Sequence, residues 1–161
     1  MSDEVDAAGA DAGATPYEKP ADRLVETFRV VHVESVLFDL ADASPVVHLM
    51  EAEAPYRSVS IPIALADATA LHAALFNRAG RRPSTHELFS SVLGQLQTDV
   101  IAAKIVRYEA GVYYGELDLM SPRGREVVDC RTSDALILAL RQAVVAPILC
   151  LESILEPFNV A

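Results

Sequence analysis

The spacing of apolar positions changes period several times along this chain, and each change marks an element. From about Val25 to Leu40 the residues are β-branched and apolar, with Val31 and Val33 on one side of the alternation and His32 and Glu34 on the other. A period of two predicts a strand. Asp39 to Pro45 reads as a turn. Val46 to Glu51 and Arg57 to Ile63 read as two more strands, completing an antiparallel meander. Ala64 to Ala79 then switches to helical spacing. Leu65, Ala68, Leu71, His72, Leu75, Phe76 and Ala79 share one face. That places His72 in the buried stripe as a core histidine and Asp67 on the polar flank near the helix start.

The next helix has the sharpest start in the chain. Pro83 biases Arg82 away from helix. Ser84 can cap through its side-chain oxygen, and Glu87 can reach back to the Ser84 amide. The helix is expected from Ser84 to Gln97, with Leu88, Phe89, Val92, Leu93 and Leu96 on its apolar face and His86 at the border. A hairpin follows, Asp99 to Tyr108 and Val112 to Met120, around Glu109-Ala110-Gly111. On its second strand Tyr113, Leu117 and Leu119 point one way, and Tyr114, Glu116 and Asp118 the other. The two acids are either a solvated sheet face or a pair able to hold a divalent metal.

Ser121 to Gly124 is a turn and Arg125 to Cys130 a further strand. Thr132 or Ser133 then caps a helix running to about Val145, apolar almost all round and so central and buried. Ala146 and Pro147 end it, and Ile148 to Leu151 is the last strand. Blocks of strands beside blocks of helices argue a single α+β domain. The strand, helix and strand from Asp129 to Ile148 can form a βαβ unit, so the sheet is expected to be mixed.

Composition narrows the function classes. A chain of 161 residues suffices for one domain with a core. Hydrophobic residues make up 52% and mean hydropathy is +0.25, yet no run approaches a membrane span, so no membrane association is expected. Residues 1–22, rich in Ala, Gly, Asp and Pro, read as a disordered acidic tail. Residues 23–156 form the expected domain and 157–161 a C-terminal tail. Net charge is -10, and the first 23 residues hold only six of the 23 acids, so the domain itself is acidic. Such a surface repels phosphate backbones and argues against broad electrostatic binding of nucleic acid. Chemistry on nucleic acid would need a local basic patch or bridging cations. Cys130 and Cys150 are expected as reduced, buried thiols. The acidic N-terminus lacks an apolar h-region, so no secretory leader is expected and the cytoplasm is the default location.

Six short motifs, in order, carry a resemblance: Ile61-Pro62-Ile63, Asp67-Ala68-Thr69-Ala70, Arg82-Pro83-Ser84-Thr85-His86-Glu87-Leu88, Tyr113-Tyr114-Gly115-Glu116-Leu117, Arg131-Thr132-Ser133-Asp134-Ala135 and Ala146-Pro147-Ile148. From about Phe28 to Leu155 the chain resembles the bifunctional nuclease (BFN) domain family. It departs from the family pattern after the Pro strand, where Ala64-Leu65-Ala66 and Asp67 stand for a longer Ile-Gly and Glu-Ala segment. It departs again at Thr132, where the family has proline, so it looks like a divergent member. The resemblance implies a small α+β domain with a curved mixed sheet that associates as a homodimer or larger homo-oligomer. It also implies hydrolysis of RNA and DNA with low sequence specificity, assisted by Mg2+ or Mn2+.

Phosphodiester hydrolysis needs an activated water, neutralised charge at the phosphate and a proton for the leaving oxygen. Within the family-like motifs His86 can act as acid or base, and His86, Asp134 and Arg131 are the catalytic candidates. Arg82 and the neighbouring Arg81 are candidates for binding phosphate, and Asp67 and Glu87 for holding a metal, with Asp134 beside them. The alternative treats Ser84, Glu87, Ser133 and Asp134 as helix caps and the arginines as compensation at a helix end. The domain is then a non-catalytic oligomeric or regulatory module. The two readings differ on one geometric point, whether His86, Asp134, Arg131 and Asp67 share a cleft.

Overall fold

The computed structural model describes residues 26–156, and the tails expected over residues 1–22 and 157–161 lie outside the described residues. The chain runs β1 (Phe28–Asp39), β2 (Ser44–Glu51), β3 (Ser58–Pro62), α1 (Leu65–Leu75), α2 (Thr85–Gln95), β4 (Asp99–Glu109), β5 (Val112–Ser121), β6 (Gly124–Arg131), α3 (Thr132–Leu140) and β7 (Ile148–Leu151). This is an α+β domain built on one sheet of order β3-β2-β1-β7-β4-β5-β6. The meander β1-β2-β3 and the run β4-β5-β6 are antiparallel, and β7 closes the gap between them, antiparallel to β1 and parallel to β4. The sheet is therefore mixed, as expected. The βαβ crossover from β6 through α3 does not land beside β6, because β4 and β5 intervene.

α3 is the central helix. Ala135, Leu136, Ile137, Leu138 and Ala139 are all buried, and α3 packs on β4, β5 and β6 and against α1. It ends at Leu140, not near Val145, because the chain must leave helical geometry before Pro147. The Ala146 amide turns back to the Ala139 carbonyl at 3.1 Å, leaving Val144 and Val145 in solvent. α1 and α2 also stop short of their expected ends. Asn77 and Gln97 adopt positive φ after the two helices, and their amides, with those of Arg78 and Thr98, cap the last carbonyls. Asn77 is, after glycine, the residue that most readily takes this conformation and so marks the stop of α1, whereas Gln97 carries no such signal.

Three expectations about faces need correction. The buried face of α1 is Asp67, Ala68, Leu71 and Ala74. Ala68 and Leu71 belong to the expected stripe, but its Leu65 and Phe76 are exposed and Asp67, expected on the polar flank, is buried. His72 is exposed and rests on the Phe76 ring at 4.7 Å. On α2 only Leu93 is buried, while Leu88, Phe89, Val92 and Leu96 are 44% to 64% exposed. The helix makes its tertiary contacts chiefly with α3 and leaves most of its apolar face open. Finally, Asp118 is neither solvated nor paired with Glu116 for a metal. It is buried, bound by Lys104 Nζ at 2.8 Å and by the Arg125 guanidinium, whose Nε donates at 2.6 Å. The Arg125 hydrogen bonds outweigh burial and hold its carboxyl down at about 2.

Candidate functional site

Three segments far apart in the chain meet at one end of the helix layer. The capping box is formed as its sequence dictates. The Glu87 amide donates to Ser84 Oγ at 3.3 Å, and the Ser84 amide donates to Glu87 Oε2 at 2.7 Å. This fixes His86 in the first turn of α2. The β6–α3 junction supplies Arg131, Ser133 and Asp134, and the first turn of α1 supplies Asp67.

Arg131 lies between the two acids. Its Nε and Nη2 each donate to Asp134 at 2.8 Å, a bidentate fork. Its Nη1 and Nη2 donate to Asp67 at 2.9 and 3.2 Å. Four of the five guanidinium N–H groups are thus used, leaving one on Nη1. Ser133 Oγ donates to Asp67 at 3.0 Å. His86 Nε2 lies 2.9 Å from Asp134 Oδ1. Burial acts to raise the Asp134 carboxyl, but the hydrogen bonds from Arg131 and His86 outweigh it and hold the group below its ordinary value. Reciprocally, the hydrogen bond to Asp134 raises the Arg131 guanidinium, so it is permanently charged.

The reading of Ser133 and Asp134 as caps fails. The N-cap position of α3 is Arg131, with no side-chain cap, and Thr132 Oγ1 donates to the Tyr113 carbonyl at 3.1 Å. Ser133 was legible only as a cap, and its bond to Asp67 could not be read from spacing. Of the other candidates, Glu87 is held by the Ser84 amide and by Arg141 Nη1 at 3.3 Å. Arg81 and Arg82 are exposed, with no side-chain partner among the described residues.

The cluster opens on a cavity of about 700 Å3 between α1, α2 and the β5–β6 edge. Asp67, His86, Arg131 and Asp134, with Ser84, Thr85 and Asp129, form its polar part. Ala66, Ala70, Phe89, Leu117, Val128 and Leu138 form apolar walls. Cys130 also reaches the cavity. Burial and the Asp134 charge push its thiol up to about 11, so it is not a nucleophile at neutral pH. Both cysteines are free.

As arranged, the acids do not fit a divalent cation. Asp67 is already engaged by Arg131 and Ser133, Asp134 by Arg131 and His86, and Glu87 by its cap and Arg141. A cation would find a guanidinium already between the two aspartates. Among the described residues no three of His, Cys, Asp and Glu are grouped to hold a metal ion, and no helix is long and apolar enough to cross a membrane.

The family model described as the bifunctional nuclease domain matches residues 47–161, well over half of the chain and every residue of the cluster. No curated protein matches it.

Proposed function

This chain belongs to the bifunctional nuclease domain family, and from that premise we propose that the His86 cluster hydrolyses phosphodiesters of RNA and DNA with low sequence specificity. The observation that supports this reading is the convergence of His86, Asp134, Arg131 and Asp67 on one cavity mouth. Asp134, a carboxylate, accepts from Nε2, so in the neutral imidazole the proton is on that nitrogen and Nδ1 carries the lone pair. Nδ1 takes a proton from water, the water oxygen adds to phosphorus and the bond to the departing sugar oxygen breaks. That oxygen takes a proton from the imidazolium. Asp134 and Asp67 are positioning residues. The remaining Arg131 N–H, with Arg81 and Arg82 outside, offsets phosphate charge.

The test is cleavage of labelled single-stranded RNA and DNA by the purified chain, with magnesium, with manganese and with chelator. Cleavage is expected to survive chelation, because a cation at Asp67 or Asp134 must first displace Arg131. Strict dependence on either metal would show that Arg131 gives way to it. His86→Ala and Asp134→Ala are expected to abolish cleavage, and cleavage persisting in both variants overturns the reading.

A second reading, a homo-oligomeric regulatory module on the same fold, draws on the open apolar face of α2 beside edge strand β6, where Val127 and Val128 are 50% and 43% exposed. Light scattering tests it. A dimer or larger assembly at micromolar concentration is expected, and a monomer removes this support.

A further inference from the structure

We infer that the cavity under α2 receives an unpaired nucleobase, so that the substrate of the proposed nuclease is single-stranded. This rests on the nuclease reading above. The cavity of about 700 Å3 is within the range of about 300–1,000 Å3 typical of small-ligand sites. Its apolar walls call for a flat body, and its polar lining is the group bonded around Arg131 together with Ser84, Thr85 and Asp129. A nucleotide matches this division, with the base against the walls and the phosphodiester at the mouth.

Charge points the same way. The cluster sets two carboxylates against one guanidinium, Asp129 adds a third acid to the cavity lining, and the chain has net charge -10. Binding of a duplex grows with the number of phosphates neutralised, and this surface neutralises few. Affinity must then come from burying a base, and a base inside a duplex cannot enter a pocket without leaving its stack. Two features suit that entry. Ala66 and Ala70 lie one turn apart on α1 and leave open the space larger side chains would fill. Phe89 borders the cavity, is 46% exposed and has no aromatic partner among the described residues, so its ring is open to stacking.

The experiment uses the whole chain carrying His86→Ala, so that binding is read without cleavage. Fluorescence anisotropy at low salt compares a strand of about eight nucleotides, its duplex and an abasic strand of equal length. The strand is expected to bind on the order of 10-fold or more tighter than the other two, the range of one stacked base. Adding Ala70→Leu should remove that advantage. A 2-aminopurine placed in the strand should change emission on binding to the unfilled cavity, which decides the matter should Ala70→Leu not fold. Equal binding of the abasic strand, an unchanged 2-aminopurine signal, or no binding of the single strand overturns the inference. Cleavage that ignores strandedness and missing bases sinks it while the nuclease reading stands. Base-dependent binding without cleavage by the unsubstituted chain does the reverse.

Discussion

Gly115 lies in the middle of β5, opposite Ile105 on β4 and Cys130 on β6. A methyl group on its Cα would come 2.9 Å from Thr132 Cα, 3.0 Å from Thr132 N and 3.2 Å from Arg131 C. Carbon atoms rest at about 3.5–4.0 Å, so the closest overlap is roughly 0.6–1.1 Å. All three neighbours are backbone, and no rotamer can yield. They are also the start of α3, which holds Arg131, Ser133 and Asp134 in the cluster. Gly115→Ala must therefore push the β6–α3 junction away from the sheet. Overpacking costs about 1–3 kcal/mol, and with only backbone to move the upper part of that range, about 2–3 kcal/mol, is expected. At roughly 2–4 °C per kcal/mol for a chain of this size, the melting temperature should fall by roughly 4–12 °C. Thermal melting by circular dichroism reads the shift, and an imidazole NMR signal for His86 reads whether the cluster has moved. A variant that melts within about 1 °C of the parent, with that signal unchanged, would refute the reasoning.

Gly94 is the contrast. It lies exposed in α2 with nothing within 4 Å of an added methyl, so Gly94→Ala should stabilise by about 0.5–1 kcal/mol in the same melt. Glu51 is 1% exposed and clasped by Arg29 and Arg57, which are 31% and 21% exposed. Glu51→Ala should cost about 2–4 kcal/mol in urea titration, less than a fully dry pair because both arginines reach water. The Arg57 hydrogen bond outweighs burial and holds Glu51 at about 2, as Arg125 holds Asp118. Both folded values lie below the ordinary 4.5 and 3.8, so their stabilisation is full above that range and is lost as pH falls toward 2. Glu51→Gln should flatten that acid limb, and an unchanged limb would count against the clasp. On the proposed chemistry, Asp134→Asn should slow cleavage by about 10²–10⁴-fold and alter its pH profile. A loss that tracks only with lowered stability would assign Asp134 a purely structural part.

The site was legible unevenly, and the reasons are physical. The capping box at Ser84 and Glu87 depends on four consecutive residues, and it formed as read. Arg131, Asp134 and His86 were singled out by their place in family-like motifs, and the structure brings them together. The burial of Asp67 and its bond to Ser133, 66 residues away, had no local signal. The open face of α2 misled in the opposite way. Its period is that of a buried helix, but nothing among the described residues covers Leu88, Phe89, Val92 and Leu96.

What the amino-acid order determined by itself was local. It specified which segments extend or coil, where Pro83 and Pro147 break the chain, the hairpin at Ala110-Gly111 and the all-round apolar character of α3. These follow from backbone sterics, caps and side-chain period, each within a few residues. The strand order was decided only in three dimensions. β7 lies between β1 and β4, where both edges of that short strand find backbone partners and its Ile148 and Cys150 face is buried in the core. That closure sets α3 against α1, and so brings Asp67 to Arg131 across 64 residues of chain. The pairing of charges is a consequence of packing, and packing is a property of the whole fold.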